Sequence, residues 1–404
     1  MHQYDLLYPI QPSQKRNIVS AQGAALTDAA GNEYLDFNEI SIVLGQDNKH
    51  FAQQLKQALD GVTSSKTGCS EHKERLYSYL MNTTRGDFKG IHLTSSGSET
   101  AEWAVKLAQR ITGRSEVLSF WNSIHGRTHL SASMSGLSKR KTGYGPLAPG
   151  TVFGIYPDCQ HCPLDKDCAS CGFACLKLLD RKLAMESAQD IAAVIIEPYQ
   201  GAGVICPPAG YLKALETWAH ARGMLFIVDE VQSGMGRTGD MYVYQREGLC
   251  PDMLLLGKGL GNGLHISALL VKEVPPAEHL HALTGGSGDN TLACAAACAV
   301  FEELLTGGLL EHISTVGNYL ELQLEALAKS PHIANVRAQG LASAIEFASA
   351  AICKRVLEAL QTNRVFVAPY GSHAIMLKPP YTVTEEQLGR VLGIIESGLD
   401  ESHN

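Results

Sequence analysis

From about residue 50 the chain carries apolar residues at helical spacing. FAQQLKQALDG, ERLYSYLMN and TAEWAVKLAQRITG all show it, the last with Ala101, Ala104, Val105, Ala108 and Ile111 in phase and Gly113 as a stop. Short continuous apolar runs alternate with these helices: VLSF near 117, AAVIIEP near 192, MLFIVDEV near 224 and DMLLLGKG near 252. Runs of that length, rich in Val, Ile and Leu and separated by helices, predict strands buried on both faces of a mostly parallel sheet. Upstream, GAALTDAAGNEYLDF reads as two short strands about a turn at Ala30-Gly31-Asn32. Beyond about residue 292 helical patterns dominate, followed by VRAQGLASAIEF and AIMLKPPYTV as strands and a final helix from Thr384. The pattern predicts an α/β chain: a large domain over residues 46–291, and a smaller α+β domain assembled from both ends, residues 1–45 and 292–404.

Composition narrows the classes. With 404 residues, 45% hydrophobic and 18% charged, the chain is too long for one small module and has core enough to fold without disulfide staples. A formal net charge of -8 without long Lys/Arg clusters argues against nucleic acid or an anionic membrane as partner. No apolar run approaches the roughly 18 to 20 residues that span a bilayer, and MHQYDLLYPI lacks the basic end and apolar core of an export signal. The expected location is the cytoplasm. An odd total of 11 cysteines also argues against a secreted disulfide framework.

Three apolar runs end in an ionisable residue that a buried strand has no need of: Glu197 after AAVII, Asp229 after MLFIV and Lys258 after MLLLG. In an open parallel sheet the carboxyl ends of the strands share one edge, and ligands bind there. The segment HLTSSGSETAEWAVK joins a strand end, a small-residue turn and a helix start. Ser96 and Glu99 have capping-box spacing, and Gly97 lets the backbone come close to a ligand. The free N–H groups of such a start favour phosphate. The turn is neither a Walker loop nor GxGxxG, so neither ATP nor NAD is signalled. A phosphate anchor, a carboxylate and a lysine together meet the needs of pyridoxal phosphate: the phosphate holds it, the acid keeps its ring nitrogen protonated, and the lysine forms the Schiff base.

At these residues the chain resembles the class III aminotransferases of the fold-type I pyridoxal-phosphate enzymes, most nearly the 4-aminobutyrate aminotransferase and dialkylglycine decarboxylase branches. DEVQSGMGRTG and LGKGLGNGL carry the resemblance, supported by SSGSET, IHGRT, IIEPYQGAG and NTLACAAA. The resemblance extends from GAALTDAAGNEYLDF to the final helix. It implies a homodimer with active sites at the subunit interface, taking an amine or amino acid and a keto acid as substrates. It also implies that Lys258 is the Schiff-base lysine and proton shuttle and that Asp229 pairs with the pyridine nitrogen. Val231 would pack on the ring, Gln232 would hydrogen-bond the phenolic oxygen, and Gly97 and Ser98 would hold the phosphate. His125, Arg127 and Glu197 would lie beside the cofactor, Arg127 on the substrate side.

The chain departs from the family at four places. The position before HGRT, usually aromatic, is Ile124, which gives dispersion contact without a ring face. The glutamate of the EPxQGEGG turn is Ala202, and the arginine expected in AIMLKPPYTV is Met376, so both halves of the arginine-glutamate switch are missing. A thioether cannot grip a carboxylate bidentately. Lys378, two positions on, is the candidate point charge in its stead. The threonine that reaches the neighbouring subunit's phosphate falls at Gly286, with Ser287 or Thr284 as its replacement. Missing switch residues leave open a racemase or epimerase, or a decarboxylating aminotransferase, on the same cofactor.

Between residues 157 and 176 lies a cysteine-rich loop with Cys159, Cys162, Cys168, Cys171 and Cys175. Its two CxxC pairs have the spacing at which thiolates converge, which makes Cys159, Cys162, Cys168 and Cys171 candidate ligands of structural zinc or an iron-sulfur cluster. A noncatalytic metal-binding interaction protein is the alternative from outside enzymology.

Overall fold

A computed structural model describes residues 17–61, 69–143, 145–280 and 290–400. Strands β1 (Ile18–Gln22), β2 (Ala25–Asp28) and β3 (Glu33–Asp36) form an antiparallel meander whose second turn is closed by Asp28, which accepts the N–H groups of Ala30 and Asn32. The large sheet comprises β4 (Gly90–Thr94), β5 (Glu116–Phe120), β6 (Thr151–Gly154), β7 (Ile191–Ile196), β8 (Leu225–Asp229), β9 (Met253–Leu256) and β10 (Ser267–Val271), in spatial order β4-β10-β9-β8-β7-β5-β6. A second antiparallel sheet follows the chain order β11 (Ile333–Gln339), β12 (Ala342–Phe347), β14 (Ala368–Tyr370) and β15 (Ala374–Leu377), with β15 between β12 and β14. The two-residue strand β13 (Val365–Phe366) instead pairs in parallel with β3, and Phe366 stacks on Tyr34 with ring centroids 5.4 Å apart. The two ends of the chain therefore share one sheet.

All four apolar runs of the sequence are strands of the large sheet, and all six residues of β7 are buried. Burial of each such aliphatic side chain contributes roughly 1.5–3 kcal/mol. The sheet is parallel except at β10, which runs antiparallel to both β9 and β4. That reversal puts the start of β10 beside the end of β4, with Ser267 opposite Thr94. Register does the rest. Ile196 pairs with Val228 and Asp229 with Leu255, so Glu197, Asp229 and Lys258 leave one edge of the sheet.

The helix Thr291–Leu305 starts at Asn290, whose side chain accepts the N–H of Leu292 and Ala293. Its ACAAACAVF stretch is buried throughout, and it packs on helices Lys49–Leu59 and Glu71–Thr83 and on the turn that begins at Lys258. Arg237, 1% exposed, ties three distant segments together. It donates to the carbonyls of Leu341 and Pro379 at 3.1 and 2.6 Å and of Ile40 at 3.4 Å, and its guanidinium lies 4.6 Å from the Tyr381 ring. Among the described residues no single helix is long and apolar enough to cross a membrane.

Glu230, next to Asp229, is buried and accepts the N–H of Val243 at 2.9 Å and of Tyr244 at 2.6 Å. Burial raises its carboxyl to about 7, against those two hydrogen bonds. Its folded value lies above the ordinary 4.5, so the folded state holds the extra proton between those limits. Stability from this group is complete below pH 4.5 and is lost as pH rises through 7. Denaturant melts of wild type and Glu230→Gln across that window should differ by a slope summing to on the order of 3 kcal/mol, with the variant the flatter. Parallel slopes would contradict it.

Candidate active site

A cavity of about 500 Å³ opens at the carboxyl edge of the large sheet. Its wall includes Gly97, Ser98, Ile124, His125, Arg127, Glu197, Asp229, Val231, Gln232, Lys258, Met376 and Lys378, so these sequence-predicted residues meet in one place. Ser287, with Thr284 and Gly286, lies outside the described residues.

At the floor, Asp229 and His125 form a buried pair, with His125 Nδ1 2.7 Å from the carboxylate; the other Asp229 oxygen accepts the N–H of Val231 at 3.1 Å. His125 Nε2 is buried with no hydrogen-bond partner among the described residues. Glu197 accepts the N–H of Ile124 at 2.9 Å and of Gly201 at 3.0 Å. Burial, with Asp229 close by, raises its carboxyl, while His125 pulls the other way.

Lys258 starts a short 3-10 turn just past β9 with φ of 42°, a left-handed conformation that costs a side-chain-bearing residue of order 1–3 kcal/mol. It makes no hydrogen bond to another described residue. Burial lowers its ammonium, Arg127 and Arg140 lower it further, and Asp229 and Glu197 oppose them. An amine so placed keeps more of its unprotonated, nucleophilic form than a surface lysine.

The helix Gly97–Thr112 points its start at the same cavity. Ser96 caps it by accepting the N–H of Glu99 at 3.3 Å. The capping box is only half formed: Glu99 reaches past Ser96 and accepts from the N–H and hydroxyl of Ser95, at 2.9 and 2.7 Å. Ser98 Oγ accepts the N–H of Arg127 at 3.0 Å, which joins the HGRT segment to the turn. A Cβ on Gly97 would lie 2.9 Å from a Val231 methyl. Gly97→Ala should therefore displace Val231 and weaken pyridoxal-phosphate binding about tenfold, the equivalent of ~1.4 kcal/mol. An absorbance titration checks this; unchanged affinity would show that the close approach is not used.

The opposite wall carries the departures. Met376 Sδ accepts the N–H of Gly203 at 3.1 Å, and Ala202 adds no charge. Lys378 is 6% exposed; its ammonium donates to the Gly201 carbonyl at 2.6 Å and to Gln232 Oε1 at 2.7 Å. Sequence reasoning passed over Ser41, Arg140, Gly201 and His265, which also line the cavity. For His265 the available signal was its place shortly after LGKGLGNGL; for Ser41 and Arg140, which come from distant turns, there was none.

The cysteine loop does not form the expected metal site. Asp158 accepts the N–H of Gln160 and His161, and Cys171 N–H bonds back to Asp167, turns that bring Cys159 against Cys168 as a disulfide with Cα atoms 5.5 Å apart. Two of the four proposed ligands are thus bonded to each other, while Cys162, Cys171 and Cys175 remain thiols. Among the described residues no group of three or more His, Cys, Asp or Glu has an arrangement that would hold a metal ion.

Comparison with known proteins accords with this geometry. The aminotransferase class-III family profile matches residues 10–399. An acetylornithine aminotransferase of Bacillus subtilis is 32% identical over 392 residues, 95% of this chain and 94% of its own length. An ornithine aminotransferase of an Exiguobacterium species is 32% identical over 401 residues, with 95% and 92% covered. The crystal structure of an amine transaminase from an uncultivated Pseudomonas species, in a PLP-bound form, superposes with a TM-score of 0.89 at 27% identity, covering 98% of this chain and 97% of that one. A taurine:2-oxoglutarate aminotransferase from Bifidobacterium kashiwanohense, in complex with PLP and glutamate, gives 0.87 at 26%, covering 99% and 94%. Matched along almost its whole length and with its lysine and acids converging on one cavity, this chain belongs to the class III aminotransferases and transfers amino groups with pyridoxal phosphate.

Proposed function

We propose that the chain is a cytoplasmic homodimeric aminotransferase in which Lys258 and Asp229 carry the chemistry. One observation supports this most: a half-buried lysine with no hydrogen-bond partner among the described residues shares a cavity with a buried Asp229–His125 pair and the start of helix Gly97–Thr112. The residues fit pyridoxal phosphate, with hydrogen-bond donors at the helix start, a narrow Gly97–Val231 approach and a carboxylate at the floor. When bound, this cofactor supplies an electrophilic carbonyl and an electron-withdrawing ring. Lys258 Nζ would act first as nucleophile and then as the base and acid that moves the substrate's proton. Asp229, oriented by His125, would hold negative charge for the ring nitrogen. Gly97 and Ser98 would hold the phosphate, and Ile124 and Val231 would exclude water from the ring.

For the substrates we infer an amine or amino-acid donor whose carboxylate, if it has one, is not gripped at position 376. Met376 and Ala202 bring no charge to that wall, the Lys378 ammonium beside them is bonded to Gly201 and Gln232, and among the described residues the acids on the cavity wall, Glu197 and Asp229, are both engaged. Arg127, at the exposed mouth, is the group we assign to the keto acid's carboxylate. Residues 46–291 would form the cofactor domain and residues 1–45 with 292–404 the small domain, as the pairing of β3 with β13 suggests. Borohydride reduction of cofactor-loaded protein followed by peptide mass mapping tests the assignment. The cofactor's mass should appear on the peptide containing Lys258, and its appearance on another lysine would overturn it.

A further inference from the structure

The sequence offers Lys378 as a point charge for a substrate carboxylate, and its surroundings give it a different role. While Lys378 is charged its ammonium has only donors, so the Gln232 atom that faces it at 2.7 Å is the amide oxygen. This fixes the orientation of the amide by chemistry. It leaves the amide nitrogen as the free donor of Gln232 on the cavity wall, with no partner among the described residues. The second Lys378 bond, 2.6 Å to the Gly201 carbonyl, holds the strip on which that amide rests. Gly201 also has its N–H taken by Glu197 at 3.0 Å, so the two peptide groups that flank its Cα are held, one by an acid and the other by Lys378. A side chain at Gly201 would overlap the Gln232 amide. The charged groups that act on Lys378 are Lys258, Arg237 and Glu197. Burial, with Lys258 and Arg237 close by, brings its ammonium down to about 7 against the pull of Glu197.

We propose that Lys378 is a positioning residue that polarises Gln232, so that the amide offers only its N–H to an oxygen acceptor of the cofactor, and that it is not a substrate-carboxylate anchor. The role is specific to this arrangement. The thioether of Met376 and the ammonium of Lys378 both bond to the glycine-rich turn after Glu197, at Gly203 and Gly201, which closes that wall as a fixed surface. The proposal rests on the reading that pyridoxal phosphate occupies this cavity.

The test uses cofactor-loaded protein without substrate. Lys378→Met, close in length and suited to a buried place, should raise the cofactor's dissociation constant about tenfold and move the pH midpoint of its visible absorbance upward by about one unit. In a Gln232→Ala background the same substitution should change cofactor affinity less than twofold, because its intermediary is gone. Lys378→Arg, which keeps donors and charge, should retain most of the affinity and carries the test should the methionine variant fail to fold. An equal loss in both backgrounds overturns the proposal. So does a higher KM for carboxylate-bearing substrates alone, with cofactor affinity and absorbance unmoved, since that is the signature of an anchor. Wild-type protein that takes up no pyridoxal phosphate would instead overturn the cofactor reading itself, before any variant is compared.

Discussion

Lys258→Ala is expected to lower amino-transfer turnover by on the order of ten-thousandfold while leaving the fold intact. Loss of a positioned general acid-base alone typically costs about a hundred- to ten-thousandfold, and here the same side chain is also the nucleophile. Stability should respond in the opposite sense. Lys258 has no hydrogen-bond partner among the described residues, and its burial disfavours the charge, so removing it relieves a cost. The unfolding midpoint of the cofactor-free variant should equal or exceed that of wild type. A stopped assay with a matched melting curve decides both points; a variant that loses activity only because it unfolds would refute the assignment.

Asp229 should behave differently, because its carboxylate serves the fold and the chemistry together. It is 5% exposed and bonded to both His125 and the Val231 N–H. Asp229→Ala leaves His125 buried with neither nitrogen paired, and breaking a buried pair in this way costs about 3–5 kcal/mol. Asp229→Asn keeps shape and hydrogen-bonding capacity but removes the charge. Its melting point should lie closer to wild type, while turnover falls on the order of a hundred- to thousandfold through lost electrostatic stabilisation. Thermal melts and steady-state kinetics on both variants separate the two roles. Equal loss of stability in both would mean that the fold needs the charge itself, and unchanged turnover in Asp229→Asn would mean that the chemistry does not.

The contrast between these two residues shows what the sequence can disclose. Glu197, Asp229 and Lys258 were legible because each interrupts an apolar run, and the parallel register of β7, β8 and β9 converts three separate interruptions into one sheet edge. Ser96 was legible as a cap because capping is local, although Glu99 chose Ser95, one residue beyond the box. What the sequence withheld is long-range. The Asp229–His125 bond spans 104 positions, and Lys378 reaches Gln232 across 146. No periodicity records either. Lys378 shows the difficulty well: strand alternation puts it on the face of Met376, and both residues line the cavity, but its hydrogen bonds go to a carbonyl and an amide. The cysteine loop failed as a metal site for a related reason. Spacing gives CxxC pairs the reach to converge, yet turns made by Asp158 and Asp167 pair Cys159 with Cys168 instead.

Three alternatives fare unequally. The noncatalytic metal-binding reading loses its ligand set with that disulfide. A racemase or a decarboxylating enzyme would use the same lysine and acid, and the relatives found, aminotransferases and transaminases, favour transfer. The distinction lies in whether the cofactor ends a half-reaction carrying the donor's amino group.

Single-turnover absorbance of the cofactor-loaded enzyme measures that directly. Addition of an amine donor alone, drawn from a panel with and without carboxylates, should bleach the visible band in proportion to enzyme sites and release a carbonyl product. Later addition of a keto acid should restore the band, and Lys258→Ala should show neither change. A donor that is racemised or decarboxylated while the band persists, with no dependence on keto acid, would contradict amino transfer as the function of this site.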